Sequence, residues 1–138
     1  MSTTQSDQIV ERLGFAPGQV VQEIGHDDDS DAALRAAIEE RTGTSLVDED
    51  HDEVADAVLM WWRADDGDLT DALIHANSGL DGDGSIWLLT PTSGRPGHVE
   101  SGEVRDACET ASLSQFTSVP VSAGWTGTRV APPKHRRR

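Results

Sequence analysis

A chain of 138 residues has room for one domain with a real core, although its 36% apolar and 4% aromatic content is low. The formal charge is −14, and all but Glu100, Glu103, Asp106 and Glu109 of the 25 acidic residues lie at or before Asp83. This balance argues against nucleic acid as the partner of the body, because a phosphate-binding face needs a basic patch; no apolar run is long enough for a membrane span, and a lone cysteine, Cys108, excludes an internal disulfide.

Residues 1–8 read as a loose polar lead without the apolar core of a signal peptide, so the cytoplasm is the expected compartment. Ile9, Val10, Leu13 and Phe15 suit a short helical turn packed on the domain. Gly14 and Pro17-Gly18 break it and introduce a strand at 19–24 with Val20, Val21 and Ile24. An acidic loop at 26–31 leads into a helix at 30–41. Asp28, Asp29 or Ser30 can cap it, and Asp31 falls in its first turn. Ala33, Leu34, Ala37 and Ile38 form its stripe, and Gly43 stops it. Residues 45–47 are a short strand candidate.

Residues 54–62 carry apolar side chains on both alternating faces, with Ala55, Ala57, Leu59 and Trp61 on one and Val58, Met60 and Trp62 on the other. That pattern suits a central parallel strand buried on both sides. A nine-residue helix fits the periodicity too, but the length and the acidic flanks favour the strand. An acidic turn at 64–68 follows, then a helix at 69–80 capped by Asp68, with Leu69, Leu73, Ile74 and Leu80 as its stripe. A Gly-rich turn at 81–84 leads to a second buried strand at 85–90. This order is a βαβ unit.

After a Gly/Pro/Ser loop at 92–102 come a helix at 103–113 and strands at 115–122 and 126–131, whose short join permits an antiparallel hairpin. The expected fold is therefore α/β: a small, mostly parallel sheet flanked by helices, with a C-terminal antiparallel strand pair. Residues 9–133 form the single domain, and 134–138 a basic, solvated tail.

Chemistry is sparse. The first strand ends in Glu23-Ile24-Gly25 before a helix, where a dinucleotide or S-adenosylmethionine site would lie. Such a turn wants further glycines and free amides; here Asp27, Asp28, Asp29 and Asp31 follow and would repel a pyrophosphate. No EF-hand loop fits the acidic clusters, and the scattered histidines have no metal-binding helical spacing. Neither a P-loop nor a Gly-x-Ser-x-Gly elbow is present. No catalytic residue, metal or cofactor is expected. The residues to watch as a ligand site are Glu23 and Gly25 in the first turn, Arg63 after the double-faced strand, and Arg95 and His98 in the loop past Pro91.

Five segments carry a family resemblance: Leu13-Gly14-Phe15-x-Pro17-Gly18-x-Val20-Val21-x-Glu23, Leu46-Val47-Asp48-Glu49-Asp50, Val58-Leu59-Met60-Trp61-Trp62-Arg63, Ile86-Trp87-Leu88-Leu89-Thr90-Pro91 and Trp125-Thr126-Gly127-Thr128-Arg129. Together they resemble the actinobacterial domain of unknown function 3052 over about residues 9–133. That family brings no catalytic residues. The segment from Leu80 to Trp87 with the terminal hairpin is also similar to the second half of Rossmann-like class I methyltransferases, which implies a truncated domain that has lost its cofactor site. The expected function is a non-enzymatic, acidic interaction or regulatory protein with a protein partner. The alternatives are a small-molecule binder or degenerate methyltransferase-like domain, and an acidic nucleic-acid mimic.

Overall fold

The computed structural model describes residues 9–10, 12–50, 53–122 and 124–132. The polar lead at 1–8, His51 and the basic tail at 134–138 lie outside the described residues. The chain order is β1 (Val21–Ile24), α1 (Ala32–Thr42), β2 (Ala55–Trp61), α2 (Leu69–Ser78), β3 (Leu80–Pro91), α3 (Ser101–Thr110), β4 (Ser114–Pro120) and β5 (Trp125–Ala131). The five strands form one sheet in the order β1-β2-β3-β5-β4.

β1 pairs with β2 and β2 with β3 in parallel, so the βαβ reading of the middle of the chain holds. β5 runs antiparallel to both β3 and β4. The sheet is therefore mixed rather than mostly parallel: the returning hairpin inserts β5 beside β3 and leaves β4 at the edge.

The two faces of β2 sort as their alternation requires. Ala57, Leu59 and Trp61 join Trp87 and Leu89 of β3 in one cluster, covered by Leu34, Ala37 and Ile38 of α1 and by Val10, Leu13 and Phe15. Val58, Met60 and Trp62 join Ile86 and Leu88 in the other, covered by Leu69, Leu73 and Ala76 of α2 and Val104, Ala107 and Cys108 of α3. Five of the six aromatic residues are buried, and only Phe116, on edge strand β4, is exposed. Burial pushes the Cys108 thiol up, away from the reactive thiolate. Two residues assigned to helix stripes turn outward: Ala33 and Ile74 are exposed.

Four local expectations are corrected. Asp31, not Asp28, Asp29 or Ser30, caps α1: its carboxylate accepts the Leu34 amide at 3.0 Å, which puts Asp31 outside the first turn. The 45–47 strand reduces to a single parallel bridge between Val47 and Gln22 on the outer edge of β1. The helix at 69–80 ends at Ser78, two residues short of Leu80. The Gly-rich segment at 81–84 belongs to β3 as a bulge, since Leu80 pairs with Ala55 while Ser85 pairs with Ala57. Gly84 allows it: a Cβ there would lie 2.4 Å from the Asp56 carbonyl oxygen.

The Val47 bridge fixes the site. The chain leaves β1 over α1, touches the outer edge of β1 at Val47, then returns to place β2 on its inner edge. The direction of winding reverses between β1 and β2. In open α/β sheets, ligand crevices lie at such switch points, outside the carboxyl ends of the strands.

Candidate functional site

Three segments of the chain meet at the crevice beyond β1 and β2. β1 ends in Glu23, Ile24 and Gly25, β2 runs into Trp62 and Arg63, and the hairpin delivers Trp125 from the start of β5. Glu23 is buried (7% exposed) and its carboxylate accepts from the Trp61 indole at 2.9 Å and from the Arg35 guanidinium at 2.6 and 2.8 Å. A buried carboxylate needs this full set of donors. The same fork raises the Arg35 pKa, the hydrogen bond to Glu23 being the largest cause.

Gly25 is a glycine for steric reasons. Its φ is +81°, and a Cβ would sit 2.3 Å from the Trp61 carbonyl oxygen. Its amide donates to the Glu49 carboxylate at 3.0 Å and its carbonyl accepts from Arg63 at 2.7 Å. Both backbone groups that a ligand would use are thus engaged within the protein.

Arg63 occupies the centre. Its side chain is 11% exposed and forms a two-pronged pair with Asp29, a third bond to the Gly25 carbonyl and a weaker contact to Asp66. A guanidinium presents donors in a planar fork suited to this arrangement. The Arg63 hydrogen bond holds the Asp29 carboxyl below the ordinary aspartate range, and Asp29 in turn raises the Arg63 pKa.

Trp125 closes the structure from above. Its ring lies edge-on to Trp61, with centroids 4.8 Å apart at 79°. Its indole nitrogen donates to the Asp29 carbonyl at 3.1 Å. Arg63 and Arg95 both lie over its ring, at 5.3 and 5.8 Å from the centroid. Arg95 also donates to the Gly124 carbonyl at 2.6 Å. Outside Arg63, the surface is a shallow depression bordered by Asp27, Asp28, Asp29, Asp65 and Asp66. Among the described residues, no three acidic, histidine or cysteine side chains are grouped so as to hold a metal ion.

Of the residues singled out in the sequence, Glu23, Gly25, Arg63 and Arg95 therefore come together around Trp61 and Trp125. His98 does not join them. Its Nδ1 lies 2.9 Å from the Pro91 carbonyl oxygen, its Nε2 lies 3.7 Å from Glu100, and it borders a separate cavity beneath α3. Sequence reasoning missed Asp29, Arg35, Glu49 and Trp125 as members. The available signal for Trp125 was its place in the Trp-x-Gly-x-Arg segment. Asp29 stood in a run of acids with nothing local to show that an arginine 34 positions later would pair with it.

A ligand approaching Gly25 meets an amide bonded to Glu49 and a carbonyl bonded to Arg63, in front of a carboxylate-bordered depression that disfavours the phosphates of a dinucleotide.

The family described as "Protein of unknown function (DUF3052)" matches residues 10–134, and the chain belongs to that family. An uncharacterised protein of Mycobacterium tuberculosis (strain H37Rv) is 48% identical over 125 residues, covering 91% of this chain and 78% of the relative. An uncharacterised protein of Mycobacterium bovis matches equally. Among solved structures, the mitomycin 7-O-methyltransferase is similar at TM-score 0.66 and 14% identity, over 96% of this chain and 54% of that one. The dimethyltransferase acting on 8-amino-8-demethyl-D-riboflavin from Streptomyces davawensis is similar at TM-score 0.70 and 10% identity, over 94% and 54%. The chain spans about half the length of these two enzymes. A TehB-like SAM-dependent methyltransferase from Corynebacterium glutamicum gives TM-score 0.58 and 11% identity, over 94% and 88%. At these identities the likeness establishes a Rossmann-like, methyltransferase-type fold and nothing about activity.

Proposed function

We propose that this family member is a non-catalytic, methyltransferase-like domain that acts by binding a protein partner. One observation carries the first half: the switch-point crevice is occupied by the Arg63–Asp29 pair, with both backbone groups of Gly25 already bonded. A methyl donor entering there meets a charge-assisted pair, with Arg63 mostly buried and Asp29 partly open to solvent, and would have to displace it to reach Gly25. The charge of −14 supports the second half, since a strongly acidic body steers basic partners toward it.

Affinity capture at low ionic strength tests the interaction. The expected result is a basic protein that elutes as salt screens the charges. A capture that stays empty at low salt, or a bound protein that is acidic and indifferent to salt, contradicts this reading. Titration with S-adenosylmethionine tests the non-catalytic half independently.

A further inference from the structure

A second cavity of about 280 Å³ lies on the opposite face of the sheet, between the start of α3 and strands β3, β5 and β4. Here both central strands change character. On this face β3 presents Ile86 and Leu88 and then Thr90, while β5 presents Val130 and then Thr128 and Thr126. Thr90 and Thr126 face each other in register, and both line the cavity.

Thr90 is 6% exposed, and its hydroxyl has no hydrogen-bond partner among the described residues. It is not among the fully enclosed orphan polar atoms, of which the Trp62 indole nitrogen is the one identified, so it retains an open side. A hydroxyl with an open side and no protein partner can bond water or a ligand that enters the cavity.

Helix α3 supplies further free donors. Asp31 and Asp68 cap α1 and α2 through their carboxylates, whereas Glu100 gives α3 no side-chain cap. The amides of Ser101 and Gly102 have no acceptor among the described residues. Free amides at a helix start favour an anionic oxygen. At the same mouth the Nδ1 of His98 is held by the Pro91 carbonyl, so in the neutral ring Nε2 keeps its lone pair. That nitrogen lies beside the exposed Glu100 carboxylate. No lysine or arginine lines the cavity, and Pro91, Val99 and Val104 give it an apolar wall.

We infer that this cavity binds a small free amino acid as its zwitterion. The ligand carboxylate accepts from the Ser101 amide and the Thr90 hydroxyl, both on the cavity wall. Its ammonium donates to His98 Nε2 and Glu100, and a short apolar side chain rests against Val99 and Val104. A neutral zwitterion suits a cavity without cations in a strongly acidic protein, where a phosphate would lack a counter-charge. This site stands apart from the proposed non-catalytic crevice, and its success or failure leaves that reading untouched.

The test is amide-resolved NMR titration of the full chain with L-valine, and with 3-methylbutanoate, which lacks the ammonium group. The expected result is saturable shifts at Ser101, Gly102 and Thr90 with L-valine and at least tenfold weaker binding of 3-methylbutanoate. Thr90→Val, near-isosteric, should weaken L-valine about tenfold, the loss expected for one hydrogen bond to a charged group. Glu100→Gln, at an exposed position, should weaken it several-fold without bearing on folding, which keeps the test decisive if the Thr90 variant misfolds. The proposal is overturned by the absence of saturable shifts, by equal binding of 3-methylbutanoate, or by affinity that Glu100→Gln leaves unchanged.

Discussion

At the scale of single residues, the crevice is held by pairs whose charges are mutually stabilised. The hydrogen bond from Arg63 lowers the Asp29 pKa, so the folded carboxyl releases its proton more readily than the unfolded one. The sign of the effect on stability follows from linkage. The contribution is present above the unfolded aspartate value of about 3.9 and is lost as pH falls through the lower folded value. Asp29→Asn removes this contribution, so thermal melts from neutral to strongly acidic pH should show a shallower loss of stability on the acid side than in the parent. An identical acid limb would contradict the pairing. Because the Asp29 side chain is 42% exposed, solvent screens the pair and the effect is modest. This pairing was not legible beforehand. Arg63 stood out because it follows Trp61-Trp62, but Asp29 looked like one more acid in front of a helix, and only the folded sheet brings the two together.

At the scale of elements, capping differs between helices α1, α2 and α3 and gives a direct comparison. Asp31→Ala and Asp68→Ala each remove a carboxylate that accepts a first-turn amide, and each should cost about 1 kcal/mol. Glu100→Ala removes no such bond and should change stability by less than about 0.5 kcal/mol. Urea unfolding of the three variants checks this, and equal losses in all three would contradict it. The elements themselves were largely readable from pattern. The double-faced strand, the Asp68 cap, the Gly43 stop and the terminal hairpin appear where alternation and turn chemistry place them. The failures have physical causes. Asp-Gly-Asp-Gly at 81–84 has turn composition, yet the close approach of Gly84 to the Asp56 backbone lets the segment remain extended as a bulge. Residues 45–47 have strand composition, but pairing beyond one bridge at Val47 is not made, a tertiary outcome that local propensity does not encode.

At the scale of the whole molecule, a methyltransferase-type sheet keeps its switch point, and Arg63 and Asp29 pair beside it. The parallel strands β1 to β3, the reversal at Val47 and the helices on both faces reproduce the geometry that usually leaves a ligand crevice. The expectation of a mostly parallel sheet missed the insertion of β5 beside β3, because strand order depends on which edge the hairpin docks against and not on the strands' own sequences. The acidic run after Gly25 and the missing glycines led to the expectation of a lost cofactor site; at that place the structure has Arg63 paired with Asp29, with Trp125 against both. The most direct test is calorimetric titration of the full chain with S-adenosylmethionine, paired with thermal melts. The expected result is no binding heat and no change in melting temperature at millimolar ligand. A saturable heat with a dissociation constant in the micromolar range would contradict the account; at a hundredfold excess such binding would add about 2.7 kcal/mol of stability.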